Sequence, residues 1–386
     1  MWVLAYHGGT EICVCEPSPT GSGCKDISTT SVNERRIPAS ELMRDIVERI
    51  LSVRAGSTDV VLWNEVLCKA KNIPVRYTLG WLNYQQEYMR SVIESCDSQD
   101  FILLYDRQPV ALWSMCVVDQ KAAPCLGTSE GPVRAPLFVQ GTTKNIQKKI
   151  IDQCLTALEL ICHELGIGAW SGVESPRDCG LDEWHYSVME RGAECRVGHE
   201  LYIDLSWDIE RIKGNFRKSY RPLVGKGRKL WKSSVFHGEV PGEVFTEFRE
   251  LHRQVAGRVT RPIETWNLQE QAIRQREAFL ICLRDSNGAM VGASLFHVSK
   301  DEGVYAVGAY DRNLFDQPLG HVVQMEAIEH MKKLGLRWYL LGNRPYPGDE
   351  KSPTEKELNI GHFKEGFATN LFLQIRTSCP THVNLG

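Results

Sequence analysis

The 386 residues exceed one ordinary core, at roughly 100 to 200 residues per domain, so two lobes are expected. The 42% apolar and 24% charged content excludes a disordered or fibrous chain. No run nears the roughly 18 to 20 apolar residues of a membrane span, and no basic segment followed by an apolar one opens the sequence, so no span is expected and a cytoplasmic location is.

The formal net charge of -3 is unevenly spread. Nine Lys or Arg and no acid fall between Arg211 and Lys232, which leaves twelve net negative charges on the remainder. That segment is suited to meet an anion. A broad basic footprint is missing, so DNA is not expected as a partner, and RNA only as a tRNA acceptor end. The 13 cysteines are odd in number and scattered, and Cys116, Cys154, Cys162 and Cys282 sit in apolar runs where Cys behaves as a small hydrophobe, so reduced thiols are expected. Cys13, Cys15 and Cys24 with His7 form the tightest cluster, but a lone C-x-C lacks the second paired half-site of a zinc centre, and no metal is expected.

In chain order, residues 1–74 hold helices near 41–53 and 59–70 and form an extension of unknown role. Apolar runs at 101–105 and 110–118 flank a turn and read as a hairpin; a third strand follows at 137–140. A long helix over 144–165 starts behind Thr143, carries Ile146, Ile150, Cys154, Leu158, Ile161 and Leu165 at helical spacing, and stops at Gly166. A strand at 167–173, a short helix ending at Gly192 and a strand at 200–205 complete the series. The same order returns: a hairpin at 278–283 and 290–297, a strand at 304–309, a helix over 319–334, a strand at 336–341, a short helical stretch ending at Gly366 and a strand at 371–375. Phe101 and Phe279, Lys144 and Leu319, and Gly192 and Gly366 lie 178, 175 and 174 positions apart, a nearly constant offset. The order puts antiparallel strands first and one parallel crossover in the middle. The expected fold class is therefore α/β, a mixed sheet with helices on both faces in each of two tandem lobes, at 75–206 and 235–386, joined by a basic connecting helix at 207–234.

This duplicated order resembles the GNAT fold, and its tandem arrangement resembles the FemABX family of peptidyl and aminoacyl transferases. Tyr202-Ile203-Asp204-Leu205, followed by Arg217-Lys218-Ser219-Tyr220-Arg221 and Gly225-Lys226-Gly227-Arg228-Lys229, is similar to the family's strand and basic helix. Glu250-Leu251-His252-Arg253 with Thr265-Trp266 looks like the start of the second lobe, and His362-Phe363-Lys364-Glu365-Gly366-Phe367 looks like the closing Phe-Lys-x-x-Phe region. The likeness covers about residues 75 to 376. Some family members carry a long coiled-coil arm in the second lobe; no heptad hairpin is present here. The resemblance implies an N-acyltransferase that acts on an amine of a phosphorylated or nucleotide-linked amino sugar or peptide, in bacterial cell-envelope or surface-glycan synthesis. Acyl coenzyme A is the favoured donor, as a cosubstrate and not a permanent cofactor. Aminoacyl-tRNA is the alternative donor, and a catalytically silent ligand-binding module is a second class of reading.

Amide formation needs a deprotonated amine, a polarised carbonyl and close positioning, and no protein nucleophile is obligatory. Lys364 matches the Lys of the closing region and is expected to act as a cation toward the donor and its developing oxyanion; the bland alternative is a surface Lys. His321 suits a base near neutral pH, or is a helix-surface His. Arg217, Tyr220 and Arg221, at spacings of three and four on one expected helix, would join Lys226 and Arg228 in gripping a phosphate, or line a solvated linker. Trp266, Tyr305 and Tyr310 would wall a substrate cleft, or fill the core. Asn343 and Arg344 open a loop of nearly 20 residues that reads as a binding loop. Gln317, Leu319 and Gly320 match the first half of the GNAT pyrophosphate loop, with Val322 where a small residue belongs; the alternative is a plain helix start behind Pro318.

Overall fold

The computed structural model describes residues 38–56, 58–93, 95–119, 124–176, 180–349 and 352–381. His7, Cys13, Cys15 and Cys24 lie outside them. The described cysteines are free thiols, with Cys116, Cys154, Cys162 and Cys282 buried as expected of small hydrophobes. No helix among the described residues is long and apolar enough to cross a membrane.

The first half runs α1 (Ala39–Ile50), β1 (Ser52–Ala55), α2 (Val60–Cys68), α3 (Leu79–Val92), β2 (Ser95–Tyr105), β3 (Gln108–Asp119), β4 (Pro124–Gly127), β5 (Leu137–Phe138), α4 (Lys144–Leu165), β6 (Ala169–Glu174), α5 (Glu183–Glu190) and β7 (Glu194–Asp204). A connector follows as α6 (Ile209–Asn215) and α7 (Tyr220–Leu230). The second half holds β8 (Lys232–Phe236), α8 (Gly242–Ala256), α9 (Ile263–Arg274), β9 (Ala278–Arg284), β10 (Met290–Val298), β11 (Glu302–Tyr310), α10 (Leu319–Lys333), β12 (Trp338–Asn343), α11 (Glu355–Glu365) and β13 (Asn370–Pro380). The long helix α4 has the bounds its sequence dictates. Thr143 accepts a hydrogen bond from the Ile146 amide at 3.4 Å, and Gly166 ends the helix in the left-handed region at φ 67°. Residues 39–74, which match neither repeat, are built into the first half: β1 pairs with β2, and α1 shares a core with α4.

The fold class is the expected mixed α/β, with one difference in how the sheets close. The strands form a sheet ordered β1-β2-β3-β4, with β5 on β3, and an eight-stranded sheet ordered β6-β13-β7-β12-β11-β10-β9-β8. The halves are thus not two self-contained sheets, because their closing strands change places. β7, the last strand of the first half, pairs with β12 of the second, and β13, the last strand of the chain, pairs with β6 of the first. β7 and β13 then pair with each other over nine residue pairs, from Tyr202↔Asn370 to Glu194↔Ser378. Both strands are 11 residues long, about twice an ordinary strand, and this length lets each reach across.

The connector also differs from a single basic helix, since Phe216, buried at the break between α6 and α7, turns the chain there. The eight-stranded sheet is covered on one face by α7 and α10, over a core that includes Ile203, Phe296, Tyr339 and Phe367. Its other face packs Trp266, Phe245 and Tyr202 against Trp81 and Tyr84 of α3, so a helix of the first half covers a sheet of the second.

Ending the chain at Thr369 would leave β6 without its antiparallel neighbour and expose one edge of β7. The expected outcome is loss of one cooperative thermal transition for the whole chain, read by far-ultraviolet circular dichroism. A truncated protein that melts like the full chain would contradict the exchange of closing strands.

Candidate active site

Two parallel strands part in the second half. β11 and β12 pair at Glu302↔Trp338, Gly303↔Tyr339 and Val304↔Leu340, and then diverge. Each strand has a local cause for leaving. On β11, Phe296 of β10 faces Tyr305 while Leu295 faces Val307, so Ala306 is an extra residue that bends the strand. On β12, the pairing with β7 slips between Leu340 and Gly342, and Gly342 sits at φ 117°, a conformation that glycine adopts without strain. Among the described residues of the first half, the chain beside β4 and β6 fills the corresponding place, with Val133 in a parallel bridge to Gly172 and hydrogen-bonded to Ser171 and Val173.

Lys364 projects into this region from the last turn of α11. It is 3% exposed, and its Nζ lies 5.7 Å from the centroid of Tyr305, the first residue of β11 beyond the paired stretch. Burial pushes its ammonium well below the usual lysine range. The expected fixed cation is therefore a buried amine that holds its proton less tightly than a solvated lysine. Phe363 and Phe367, close to it in the chain, pack with Tyr220 and His321 in an aromatic cluster. Tyr220 and His321 meet edge to face at 4.5 Å, and Phe363 and Phe367 lie 5.2 and 5.8 Å from the His321 ring. Gly366 is needed here, since a Cβ at that position would collide with the Tyr220 ring.

Arg217 joins the cluster from the residues before α7. Its Nη2 donates to the His362 carbonyl at 3.0 Å, its Nη1 to the Tyr220 hydroxyl at 3.0 Å, and its backbone amide to Gly366 at 2.8 Å. It thus clasps the end of α11 that carries Lys364. Tyr220 in turn donates to the Phe363 carbonyl at 3.3 Å.

Other expected site residues lie elsewhere. Arg228 is engaged by Glu326 at 2.9 Å and Glu329 at 2.6 Å on α10, which takes its guanidinium from any phosphate. Arg221 donates to the Gly214 carbonyl, and both it and Lys226 are exposed. The expected single helical face is broken because α7 starts only at Tyr220. Trp266 is on the opposite face of the sheet, 5.5 Å from Phe248 and 5.2 Å from His252, and walls no cleft with Tyr305. The pyrophosphate-loop residues are crowded by α7 and α11, and Gln317 and Gly320 stay half-buried. The Gln317 amide donates to Asp316 at 2.8 Å, Leu319 is in the core, a Cβ at Gly320 would come within 3.1 Å of Phe363, and Gly227 of α7 packs on Pro318 and Val322. Burial pushes His321 down to about 4, too low for a base near neutral pH. Asn343 ends β12 opposite Glu200, and Arg344 pairs with Glu365 at 3.1 Å, beside Lys364.

Tyr310 is joined by a residue the sequence reading missed. Ser294 on β10 hydrogen-bonds the Tyr310 hydroxyl at 2.8 Å and the Tyr305 hydroxyl at 3.4 Å. The available signal was a serine inside the apolar run Met290–Val298.

Residues 228–352, which include both diverging strands, match the family described as "Acetyltransferase (GNAT) domain". The crystal structure of FemX superposes with a TM-score of 0.60 at 12% identity, over 81% of this chain and 95% of that one. Over residues 228–352 the chain is thus similar to a GNAT acetyltransferase domain, and its fold is FemX-like. A Bacteroides thetaiotaomicron protein of unknown function aligns at TM-score 0.54 and 9% identity, over 85% of this chain and 99% of that one. The C-terminal DUF2156 domain of an Agrobacterium fabrum protein named as a lysylphosphatidylglycerol synthetase aligns at 0.53 and 12%, over 87% and 92%. No curated protein matches the sequence. The GNAT match ends at residue 352, so in this FemX-like chain Lys364 and the α11 end that Arg217 clasps lie outside it.

A lysine whose folded pKa is depressed binds fewer protons folded than unfolded, so it makes stability rise with pH up to the unfolded value of about 10.4. Lys364→Met is expected to remove that slope, raising stability at pH 7 more than at pH 9.5 in urea titrations at both pH values. An equal effect at the two would show Lys364 charged in the folded protein.

Proposed function

We propose that the protein forms an amide by transferring an acyl group to an amine, with the gap between β11 and β12 as the reaction site. The observation that carries this reading is the placement of buried Lys364 over Tyr305 where the two strands of the GNAT domain part. The acceptor nitrogen attacks the donor carbonyl carbon, the bond to the leaving oxygen or sulfur breaks, and the amine proton ends on the leaving group. Charge grows on the carbonyl oxygen in between. A lysine held in a dry site stabilises that charge by hydrogen bonding and by taking up a proton as the oxyanion forms. Arg217 and Tyr220 position it by fixing the end of α11. The first half, whose corresponding place is filled by residues around Val133, contributes packing and a cleft wall and not a second reaction centre.

On the donor, aminoacyl-tRNA gains ground over acyl coenzyme A. The start of α10, where a coenzyme A pyrophosphate would lie, is crowded by Gly227 of α7 on Pro318 and Val322 and by Phe363 close to Gly320. Arg221 and Lys226, turned to solvent on the connector, suit a phosphate backbone. The acceptor is an amine of an amino sugar or peptide, free or nucleotide-linked, in cell-envelope synthesis.

The test supplies acetyl coenzyme A and a mixture of aminoacyl-tRNAs to the purified protein with glucosamine 6-phosphate, a UDP-linked amino sugar and a lysine-containing peptide, and reads amides by mass spectrometry. Product is expected with aminoacyl-tRNA and lost on RNase treatment. Lys364→Met should lower kcat by about 10²- to 10³-fold with KM for the donor little changed, the signature of a group that acts on developing charge. Absence of amide with every donor and acceptor, or an undiminished Lys364→Met rate, would overturn the reading.

A further inference from the structure

The core beneath α10 is largely apolar, with a buried hydrogen bond from the Tyr339 hydroxyl to Gln324 at 2.7 Å and a second polar group at the strand gap. There Ser294, Tyr305 and Tyr310 are at most 4% exposed and share hydrogen bonds of 2.8 and 3.4 Å. Two glycines make this meeting possible. A Cβ at Gly308, directly across from Ser294, would collide with the Tyr305 hydroxyl, and one at Gly292, across from Tyr310, would press on the Tyr310 ring at 3.0 Å. Burial raises the pKa of both tyrosines, so the three groups are neutral hydroxyls that donate and accept. Behind them lie packed rings, Tyr305 edge to face with Phe296 at 5.3 Å and Phe296 stacked on Phe279 at 4.9 Å. Lys364 stands over the Tyr305 side of this floor.

We propose that Ser294, Tyr305 and Tyr310 form the floor of the acyl slot and set its specificity, admitting a short acyl group that carries a hydrogen-bonding substituent and rejecting a long alkyl chain. The inference rests on reading the gap as the reaction site, and it names the class of acyl group. A short chain with an amino or hydroxyl group finds partners in the three hydroxyls. A long alkyl chain offers those hydroxyls no partner beyond one another and must also displace the rings packed behind them, whereas a polar substituent gains a hydrogen bond in a dry site, and such differences enforce discrimination.

The floor can be probed without the natural substrates. Glycine p-nitrophenyl ester, p-nitrophenyl acetate and p-nitrophenyl octanoate are each offered to the full chain at pH 8. In this reaction the neutral Lys364 nitrogen bonds to the ester carbonyl, the C–O bond breaks with its electron pair on p-nitrophenolate, and the extra proton on nitrogen passes to water. Acylated Lys364 is measured by peptide mass spectrometry relative to exposed Lys226, which corrects for the intrinsic reactivity of each ester. Glycyl and acetyl transfer to Lys364 should exceed octanoyl transfer by about tenfold or more. In Ser294→Ala/Tyr310→Phe, which removes two hydroxyls and adds no bulk, the octanoyl-to-glycyl ratio should rise about fivefold or more. Tyr310→Phe alone should move it the same way, and it serves if the double variant fails to fold by circular dichroism. Octanoylation as fast as glycylation in the parent, a ratio unmoved in the variants, or no acylation of Lys364 by any ester would overturn the proposal. Selective acylation without amide formation from any donor and acceptor would leave the floor standing and sink the transfer reading instead.

Discussion

The antiparallel pairing of β7 with β13 holds the rest of the molecule in place. Each strand closes one repeat in the sequence, yet each lies beside a strand of the other repeat, so neither half can complete its sheet alone. Backbone N–H and C=O groups buried away from water must be paired, and a sheet that stopped at β12 or β6 would leave such a row unmatched. The exchange meets this requirement for both halves at once. It also sets the location of the candidate site, because β7 draws the far end of β12 toward the junction while β10 holds β11.

That divided loyalty is what opens the gap. A continuous parallel pair would bury its hydrogen bonds and leave no room for a substrate. One extra residue at Ala306 and one slip at Gly342 let the two strands follow different partners. The opening is then furnished from three directions: Lys364 from α11, Tyr220 and Arg217 from the connector, and Ser294, Tyr305 and Tyr310 from the sheet. Tyr220, His321, Phe363 and Phe367 pack together at the end of α11, which carries buried Lys364. In the first half the same topological position is closed by the chain itself.

Several errors of expectation share a cause. The basic run from Arg211 to Lys232 reads as a single anion grip because charge is visible in sequence, whereas the partner of each charge is not. Arg228 is consumed by two glutamates about a hundred positions away, and Arg217 by carbonyls of a helix that closes the second half. Trp266 and Tyr305 look like two walls of one cleft, but a sheet stands between them. The Gln317-to-Gly320 stretch resembles half of a phosphate loop, and what crowds it is α7, contributed by a distant segment.

Periodicity and punctuation in the sequence were enough to determine the repeated element order, the bounds of α4 and the hairpins, because helical spacing, capping residues and turn glycines act over a few neighbouring positions; the candidacy of Lys364 came from the likeness of its motif to the FemABX closing region. Which closing strand joins which sheet, which arginines remain available, and that Ser294 meets two tyrosines beneath a buried lysine were decided only by the tertiary structure. Those outcomes depend on contacts between segments far apart in the chain, where burial removes water and forces each polar group to find whatever partner the fold brings to it.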